Sequence, residues 1–223
     1  MTTYFGALGD NLPLAVGSEF EGLHVDLVRA PEQLAEVLQR LPASMELSVG
    51  VVDGRNIWRT DLDAAHSLVR RAVVALATDR ILVAPSCSLL HVPVDLEAEH
   101  TIDEELKSWL AVGAQKLVEL YAPAAAAESE KPSGPRFAEA RYALSNRAAS
   151  TRTRNPTVRD RMSSVTGDML RRTSPFSTMT NLQHRRFHLP PFPTTTIGSF
   201  PQTGDVRGAR AAWRAGRLWR SRI

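Results

Sequence analysis

Short apolar runs alternate with amphipathic patterns through the first 121 residues, and this alternation limits the fold more than any other feature. Strand-like runs lie at residues 2–5, 23–28, 47–52 and 81–84. Apolar residues at helical spacing lie between or after them, at residues 31–41, 61–77 and 101–121. Strands separated by helices indicate βα units and a parallel sheet. A closed (β/α)8 barrel takes about 250 residues, so four units predict half a barrel or a small open α/β sheet.

Each predicted helix begins with a residue typical of helix starts. Pro31 suits the first helical position, Asp61 suits an N-cap, and Thr101 begins a sequence resembling a capping box. The segment 101–121 carries the strongest helical pattern, and we expect one long helix there. Its predicted apolar stripe consists of Leu106, Trp109, Leu110, Leu117 and Leu120.

The net charge of +3 conceals a strong division along the chain. Residues 1–130 carry 20 acidic and 9 basic residues, whereas residues 131–223 carry 4 acidic and 18 basic ones. Arginine accounts for 24 of the 27 basic residues. The two parts therefore attract each other, or the basic part binds an anionic partner.

The composition also excludes some classes of protein. Cys87 is the only cysteine, which excludes an intrachain disulfide and suits a reducing compartment. No apolar run approaches the roughly 18 residues of a membrane span. The first residues lack the basic and apolar regions of a secretory signal. We therefore expect a cytoplasmic protein that has no membrane partner.

The second part of the chain has a different character. Residues 122–134 are rich in alanine, proline, serine and glycine, which is typical of a linker. The Arg-rich stretch that follows predicts helices at 136–149, 156–172 and 177–187. Prolines and threonines at 189–203 favour a strand over a helix, and a last helix is predicted at 205–216.

Four stretches closely resemble the cobalamin-independent methionine synthase family, in the family's order. They are residues 50–62 (GVVDGRNIWRTDL), 84–93 (APSCSLLHVP), 107–111 (KSWLA) and 189–203 (LPPFPTTTIGSFPQT). The resemblance covers nearly the whole chain and is weakest at 122–135 and after residue 203.

The resemblance implies an α/β fold that is part of a two-barrel enzyme. It places residues 1–121 on the last four βα units of the N-terminal (β/α)8 barrel. It places residues 122–190 on a helical interdomain linker, and 191–223 on the first strand and helix of the C-terminal catalytic barrel. The chain is thus expected to be an internal fragment of such an enzyme.

The family transfers a methyl group from 5-methyltetrahydropteroyltri-L-glutamate to L-homocysteine and so forms L-methionine. A zinc ion holds the homocysteine sulfur as a thiolate, the nucleophilic form. The family's zinc-ligand motifs and folate-holding residues have no counterpart in this sequence. The resemblance therefore implies a methyltransferase fragment that is inactive alone, has no catalytic residue and binds no zinc.

Two alternatives remain open at the level of sequence. The chain could be one piece of a split enzyme, complemented by other chains or associated with itself, because half-barrels expose strand edges. It could also be a basic nucleic-acid-binding protein. Interleaved aromatic residues are scarce in the Arg-rich part, which favours a linker docked on acidic barrels over nucleic-acid binding.

One substrate-binding element of the family is retained, at Ile197, Gly198 and Ser199. By resemblance, these positions contact the amino-acid part of homocysteine or methionine. Gly198 would let a ligand approach the backbone, and Ser199 would offer a hydroxyl. Taken without the family, the same residues predict only a turn that ends a strand.

Three other motifs have both a functional and a structural interpretation. Cys87 and His91 form a Cys-x3-His pair that could be half of a zinc site or a packed, reduced thiol. His24 and Asp26 share one face of a strand and could form a base with its orienting carboxylate, or internal hydrogen bonds. The sequence 53–56 (DGRN) could be a catalytic or phosphate-binding loop, or a turn supported by an ion pair.

Overall fold

The computed structural model describes residues 1–196, 198 and 201–217. The chain divides into two compact units, Met1–Arg159 and Asp160–Ile223. The first is an α/β unit built on a small parallel sheet, and the described residues of the second form helices, turns and extended segments. An α/β fold with parallel strands is therefore confirmed, whereas its completion into a barrel stays a prediction.

The sheet has three parallel strands in the order β1-β2-β3. They are β1 (Gly22–Asp26), β2 (Glu46–Val52) and β3 (Ile81–Pro85). Val25, Val49 and Val83 occupy equivalent positions across the sheet. Within the described residues β3 pairs with β2 alone, and Leu82, on the face of the strand opposite to Ile81 and Val83, is 50% exposed. This side of the sheet is an open edge.

The first predicted strand, at residues 2–5, forms only an isolated parallel bridge between Thr2 and His24. The amide of His24 donates to Met1 O and the amide of Thr3 donates to His24 O, so pairing begins normally. Phe5 then adopts a φ of +73°, outside the strand region, and turns the chain away from β1. The prediction of four strands is therefore wrong for the first one: the described residues form three strands, and residues 2–5 contribute only this bridge beside β1.

Nine α-helices lie in the described residues: α1 (Leu12–Val16), α2 (Gln33–Arg40), α3 (Leu62–Leu76), α4 (Glu104–Ser108), α5 (Gly113–Ala125), α6 (Pro135–Ala149), α7 (Pro156–Ser163), α8 (Phe176–Phe187) and α9 (Gly204–Arg214). The Asp61 side chain accepts from the amide of Ala64 and caps α3 as predicted. No helix in this part of the chain is long and apolar enough to cross a membrane.

The core lies between the sheet and helices α2 and α3. Its fully buried members are apolar side chains from the strands and from the inner faces of these helices, including Leu34, Val37, Leu47, Val49, Val52 and Val69. The alternation of strands and helices in the sequence thus corresponds to sheet and helix layers that share one apolar core.

The predicted long helix at 101–121 is wrong, because the chain leaves the helix between α4 and α5. Asp103, rather than Thr101, caps α4 by accepting from the amide of Leu106. Residues 109–112 then pair with the loop after β2 through an antiparallel bridge between Trp58 and Leu110. These backbone hydrogen bonds to a distant loop outweigh the local helical preference.

The expected apolar stripe of this segment is also partly wrong. Trp109 and Leu110 are buried, but Leu117 is 59% exposed. The buried face of α5 instead carries Lys116, Glu119 and Ala122. The break before Gly113 rotates α5 relative to a continuous helix, so polar residues face inward.

The remaining predictions for the second part have mixed outcomes. Helix α6 confirms the prediction at 136–149, and its Phe137 and Ala140 pack with Leu62 and Ala122. Helix α7 ends at Ser163, well before residue 172. The described residues of 189–203 form no strand, since the four prolines there lack the amide that strand pairing requires. The boundaries 1–121, 122–190 and 191–223 stay a prediction.

Substitution of the central strand should reveal how much the first unit depends on its core. Leu47→Ala should lower the free energy of unfolding by about 2–5 kcal/mol, because Leu47 is fully buried between the sheet and its helices. Val74→Ala, at an exposed position of α3, should change it by less than about 0.5 kcal/mol. Urea titration followed by circular dichroism measures both, and equal effects would contradict this position of the core.

Candidate functional site

The loops at the carboxyl ends of the strands meet at one edge of the sheet, where open α/β sheets bind ligands. The loop after β2, residues 53–60, is organised by its own side chains. Asp53 accepts from the amide of Arg55 at 2.8 Å and from the side-chain amide of Asn56 at 2.6 Å. Asn56 in turn accepts from the amide of Trp58 at 3.0 Å. This 53–60 loop therefore has the predicted Asp-Gly turn as its first part.

Gly54 holds the 53–60 loop against the end of β3. Its amide donates to the hydroxyl of Ser86 at 3.2 Å. A Cβ atom at this position would lie 2.6 Å from the carbonyl oxygen of Cys87, which is closer than real Cβ atoms approach. Glycine is therefore required here for close packing of two loops.

Cys87 and His91 do not form the core of a metal site. Cys87 is buried, and this burial raises the pKa of its thiol, which favours the protonated form over the thiolate that binds metals. His91 is exposed, with its ring 5.8 Å from that of Phe5. In the part of the chain that the structure describes, no three His, Cys, Asp or Glu side chains are grouped to hold a metal ion. The structure is that of a packed thiol.

His24 is a buried hydrogen-bonding residue rather than half of a catalytic pair. Its Nδ1 lies 2.8 Å from the hydroxyl of Ser48, and its Nε2 lies 3.4 Å from the carbonyl oxygen of Ser86. Asp26 does not orient it, because the Asp26 carboxylate accepts three backbone amides. Burial lowers the pKa of His24, and Ser86 and Asp26 oppose this effect. The imidazole thus links β1 to β2 and to the residue that follows β3.

Lys116 lies beneath the 53–60 loop and is completely buried. Its ammonium group donates to the carbonyl oxygen of Trp58 at 3.0 Å. Burial lowers the pKa of Lys116, while the nearby carboxylates of Glu119 and Asp53 raise it. Glu119 accepts from the amide of Thr60 and, at 2.7 Å, from its hydroxyl. The end of the loop is therefore held by two buried ionisable groups of α5.

Arginines of the second half dock on this face and beside it. The guanidinium of Arg147 lies 3.6 Å from the ring centroid of Trp58. Arg152 pairs with Asp103 at 2.8 Å and lowers the pKa of that carboxyl well below its usual range. Arg141 pairs with Asp63 through two nitrogens, each 2.6 Å from a carboxylate oxygen. The predicted pairing of basic residues of the second half with acidic residues of the first is confirmed for Arg141 and Arg152, whereas Arg147 lies over an aromatic ring.

Sequence reasoning missed several residues that organise this face. Lys116 and Glu119 were not singled out, although their three-residue spacing places them on one side of a helix. The pairing of residues 57–59 with 109–111 had no signal in local composition. Only the long-range fold brings these segments together.

The predicted substrate-binding element is described only at its centre. Gly198 has a φ of +80° and open space around its Cβ position. Ile197 and Ser199 lie outside the described residues. The assignment of these three residues stays a prediction.

Comparison with known proteins identifies the family. The model described as "Cobalamin-independent synthase, N-terminal domain" matches residues 1–76, and "Cobalamin-independent synthase, Catalytic domain" matches residues 192–222. A protein of Xylella fastidiosa (strain M23) named 5-methyltetrahydropteroyltriglutamate–homocysteine methyltransferase is 48% identical over 98% of this chain. The chain belongs to the cobalamin-independent methionine synthase family.

Other members of the cobalamin-independent methionine synthase family align equally well. Proteins of the same name from Chelativorans sp. (strain BNC1) and Nitrobacter winogradskyi (strain ATCC 25391) are 51% and 49% identical, each over 98% of this chain. The chain spans 28–29% of the length of these three relatives. The matched residues thus include both the α/β unit and the segment around Gly198.

The buried carboxylate of Glu119 should stabilise the folded chain, because it holds the end of the 53–60 loop. Glu119→Ala leaves the amide and the hydroxyl of Thr60 without their acceptor and removes a carboxylate near the buried Lys116, so we expect a loss of about 1–3 kcal/mol in the free energy of unfolding. Leu117→Ala, an exposed change on the same helix, should cost far less. Urea titration of both variants checks this, and similar losses would contradict the structural importance of Glu119.

The burial of His24 should make the free energy of unfolding depend on pH. Because the pKa of His24 is lower in the folded chain than its ordinary 6.5, the unfolded chain binds more protons below about pH 6.5. Unfolding free energy should therefore fall as the pH is lowered through that range, by at most about 1.4 kcal/mol per pH unit.

The variant His24→Gln should weaken this pH dependence, and His100→Gln, at an exposed position, should leave it unchanged. Urea titrations at several pH values between 5 and 8 measure the slope. Identical slopes for His24→Gln and the unmodified chain would show that His24 does not titrate differently on folding.

Proposed function

We propose that this chain contributes to methionine formation as part of a larger assembly. The reaction is transfer of a methyl group from 5-methyltetrahydropteroyltri-L-glutamate to L-homocysteine, giving L-methionine. The single observation that carries the proposal is 48–51% identity along 98% of the chain to proteins named for this methyl transfer. The parallel βα arrangement, with its loops gathered at the carboxyl ends of the strands, supports it.

In this proposal each part of the chain has its own structural task. Residues 1–121 supply the last four βα units of an N-terminal (β/α)8 barrel, residues 122–190 supply the interdomain linker, and residues 191–223 begin the catalytic barrel. The open edge of β3 supports the first assignment, because parallel strands in a barrel have a neighbour on each side. The contacts of Arg147 and Arg152 support a linker that docks on the α/β unit.

Zinc is assigned no site on this chain. The described donor set does not fit the ion, because Cys87 is held as a buried thiol and His91 is exposed beside a ring. The proposal therefore gives these residues no step in the chemistry of methyl transfer. Homocysteine contact is assigned to Ile197, Gly198 and Ser199, and the left-handed backbone of Gly198 supports a close approach of ligand to the main chain.

The missing machinery would come from other polypeptide segments, either in the same protein or in a complementary chain. A basic nucleic-acid-binding function is the second candidate, favoured by the exposed arginines of α8 and α9, such as Arg185 and Arg207. The first candidate is stronger, because Arg141, Arg147 and Arg152 bind carboxylates and an aromatic ring of the chain itself.

A complementation assay tests the proposal. The purified chain alone should form no methionine from homocysteine and the methyl-folate. Mixing it with separately purified segments of the Chelativorans sp. relative that cover the remaining sequence should restore methionine formation, measured by chromatography. Methionine formed by the chain alone would overturn its dependence on other segments, and no methionine from any mixture would overturn its contribution.

A variant of the same mixture tests the homocysteine contact. Ser199→Ala should raise the KM for homocysteine because a hydroxyl contact is lost, whereas Thr194→Ala, in the same segment, should leave KM unchanged. Equal KM values for Ser199→Ala and the unmodified mixture would contradict the assignment of Ser199.

A further inference from the structure

A cluster of aromatic side chains and one arginine lies at the carboxyl ends of the strands, and it includes none of the residues assigned above to homocysteine. The rings of Tyr4 and Phe5 meet edge to face with centroids 4.7 Å apart. The ring centroid of His91 lies 5.8 Å from that of Phe5. Tyr4 and Phe5 are 51% and 45% exposed, so the cluster offers an apolar wall to solvent.

The backbone of this wall is held in an unfavourable conformation. Phe5 has a φ of +73°, which is rare for a bulky residue. The buried carboxylate of Asp26 maintains it by accepting from the amide of Phe5 at 2.9 Å. The same carboxylate accepts the amides of Val28 and Arg29, so its position is fixed by the end of β1. The sheet therefore determines where the Phe5 ring lies.

The side chain of Arg55 lies over the Phe5 ring of this wall. Its guanidinium carbon lies 4.4 Å from the centroid of the Phe5 ring. The described residues place no carboxylate in an ion pair with it, whereas Arg141 and Arg152 are both paired with aspartates. The carboxylate of the neighbouring Asp53 accepts hydrogen bonds from the Arg55 backbone amide and from the Asn56 side chain. Among the described residues no acceptor binds the guanidinium, so its hydrogen-bond donors are available to a ligand.

We propose that Arg55, Phe5, Tyr4 and His91 form a binding site for a small carboxylate that carries a planar apolar group. The guanidinium of Arg55 donates to the two carboxylate oxygens, which match its fork in geometry. The planar group packs against the exposed rings of Tyr4 and His91. Carboxyl ends of parallel strands are where ligands bind in open α/β sheets, and the close packing of Gly54 on Cys87 fixes the turn that carries Arg55.

Benzoate is the probe, and propionate is an aliphatic carboxylate of the same charge. Nuclear magnetic resonance titration of the full isotopically labelled chain follows the amides of Phe5 and Arg55 and the ring of His91. Benzoate should shift these signals and bind more tightly than propionate. Equal affinity for the two acids would overturn the aromatic part of the site, and no benzoate shift at these residues would overturn the site itself.

Two variants and one control test the residues. Arg55→Gln should weaken benzoate binding by at least about tenfold, because charge-assisted hydrogen bonds are lost. Arg71→Gln removes an exposed arginine of α3 that pairs with no described carboxylate, and it should leave benzoate binding unchanged. Unchanged binding in Arg55→Gln, or an equal loss in both variants, would overturn the assignment.

Phe5→Asn separates the ring from the backbone conformation. Asparagine tolerates a left-handed φ better than other non-glycine residues, so the turn should persist and the thermal unfolding midpoint should not fall. Benzoate binding should nevertheless weaken several-fold because the ring is gone. Retained affinity would show that Phe5 is no part of the site. None of these measurements involves methyl transfer, so their outcome is separate from that of the complementation assay.

Discussion

A buried ammonium group must be solvated by the protein itself, and the arrangement of the loops above the sheet depends on that requirement. Lys116 has no exposed surface and donates to the carbonyl oxygen of Trp58. Glu119 lies one helical turn further on and binds Thr60 at the other end of the same short segment. Any rearrangement of the 53–60 loop would leave a charge without its partner in a region of low polarity.

The bridge between Trp58 and Leu110 extends this constraint to the second half of the first unit. The segment that separates α4 from α5 is held by two backbone hydrogen bonds to the loop, from Arg59 to Trp109 and from Ala111 to Ile57. Trp109 then donates through its indole nitrogen to Asn146 of α6. A helix from the Arg-rich part of the sequence is therefore integrated into the α/β unit, and its Arg141 and Arg147 make internal contacts.

The sequence predicted well those features that local physics determines. The strands β1 to β3 and the start of α3 at Asp61 follow from apolar runs and capping chemistry, and they were found within a residue or two. The helix at 101–121 failed because Gly113 begins a new helix after a long-range bridge, which no local pattern records. The roles of His24 and Cys87 were open between chemistry and packing, and only their surroundings in the folded chain favour packing. Family membership came from motif order, which is information that physical periodicity does not contain.

The unpaired edge of β3 affects how the polypeptide folds in a cell. The peptide groups at that edge pair with no other strand among the described residues. The side chain of Leu82 on this strand is half exposed. An edge of this kind accepts any extended segment that reaches it, including those of unfolded copies. Folding yield should then decline as the concentration of newly made chains rises, and a chaperone that shields extended segments would favour the productive pathway.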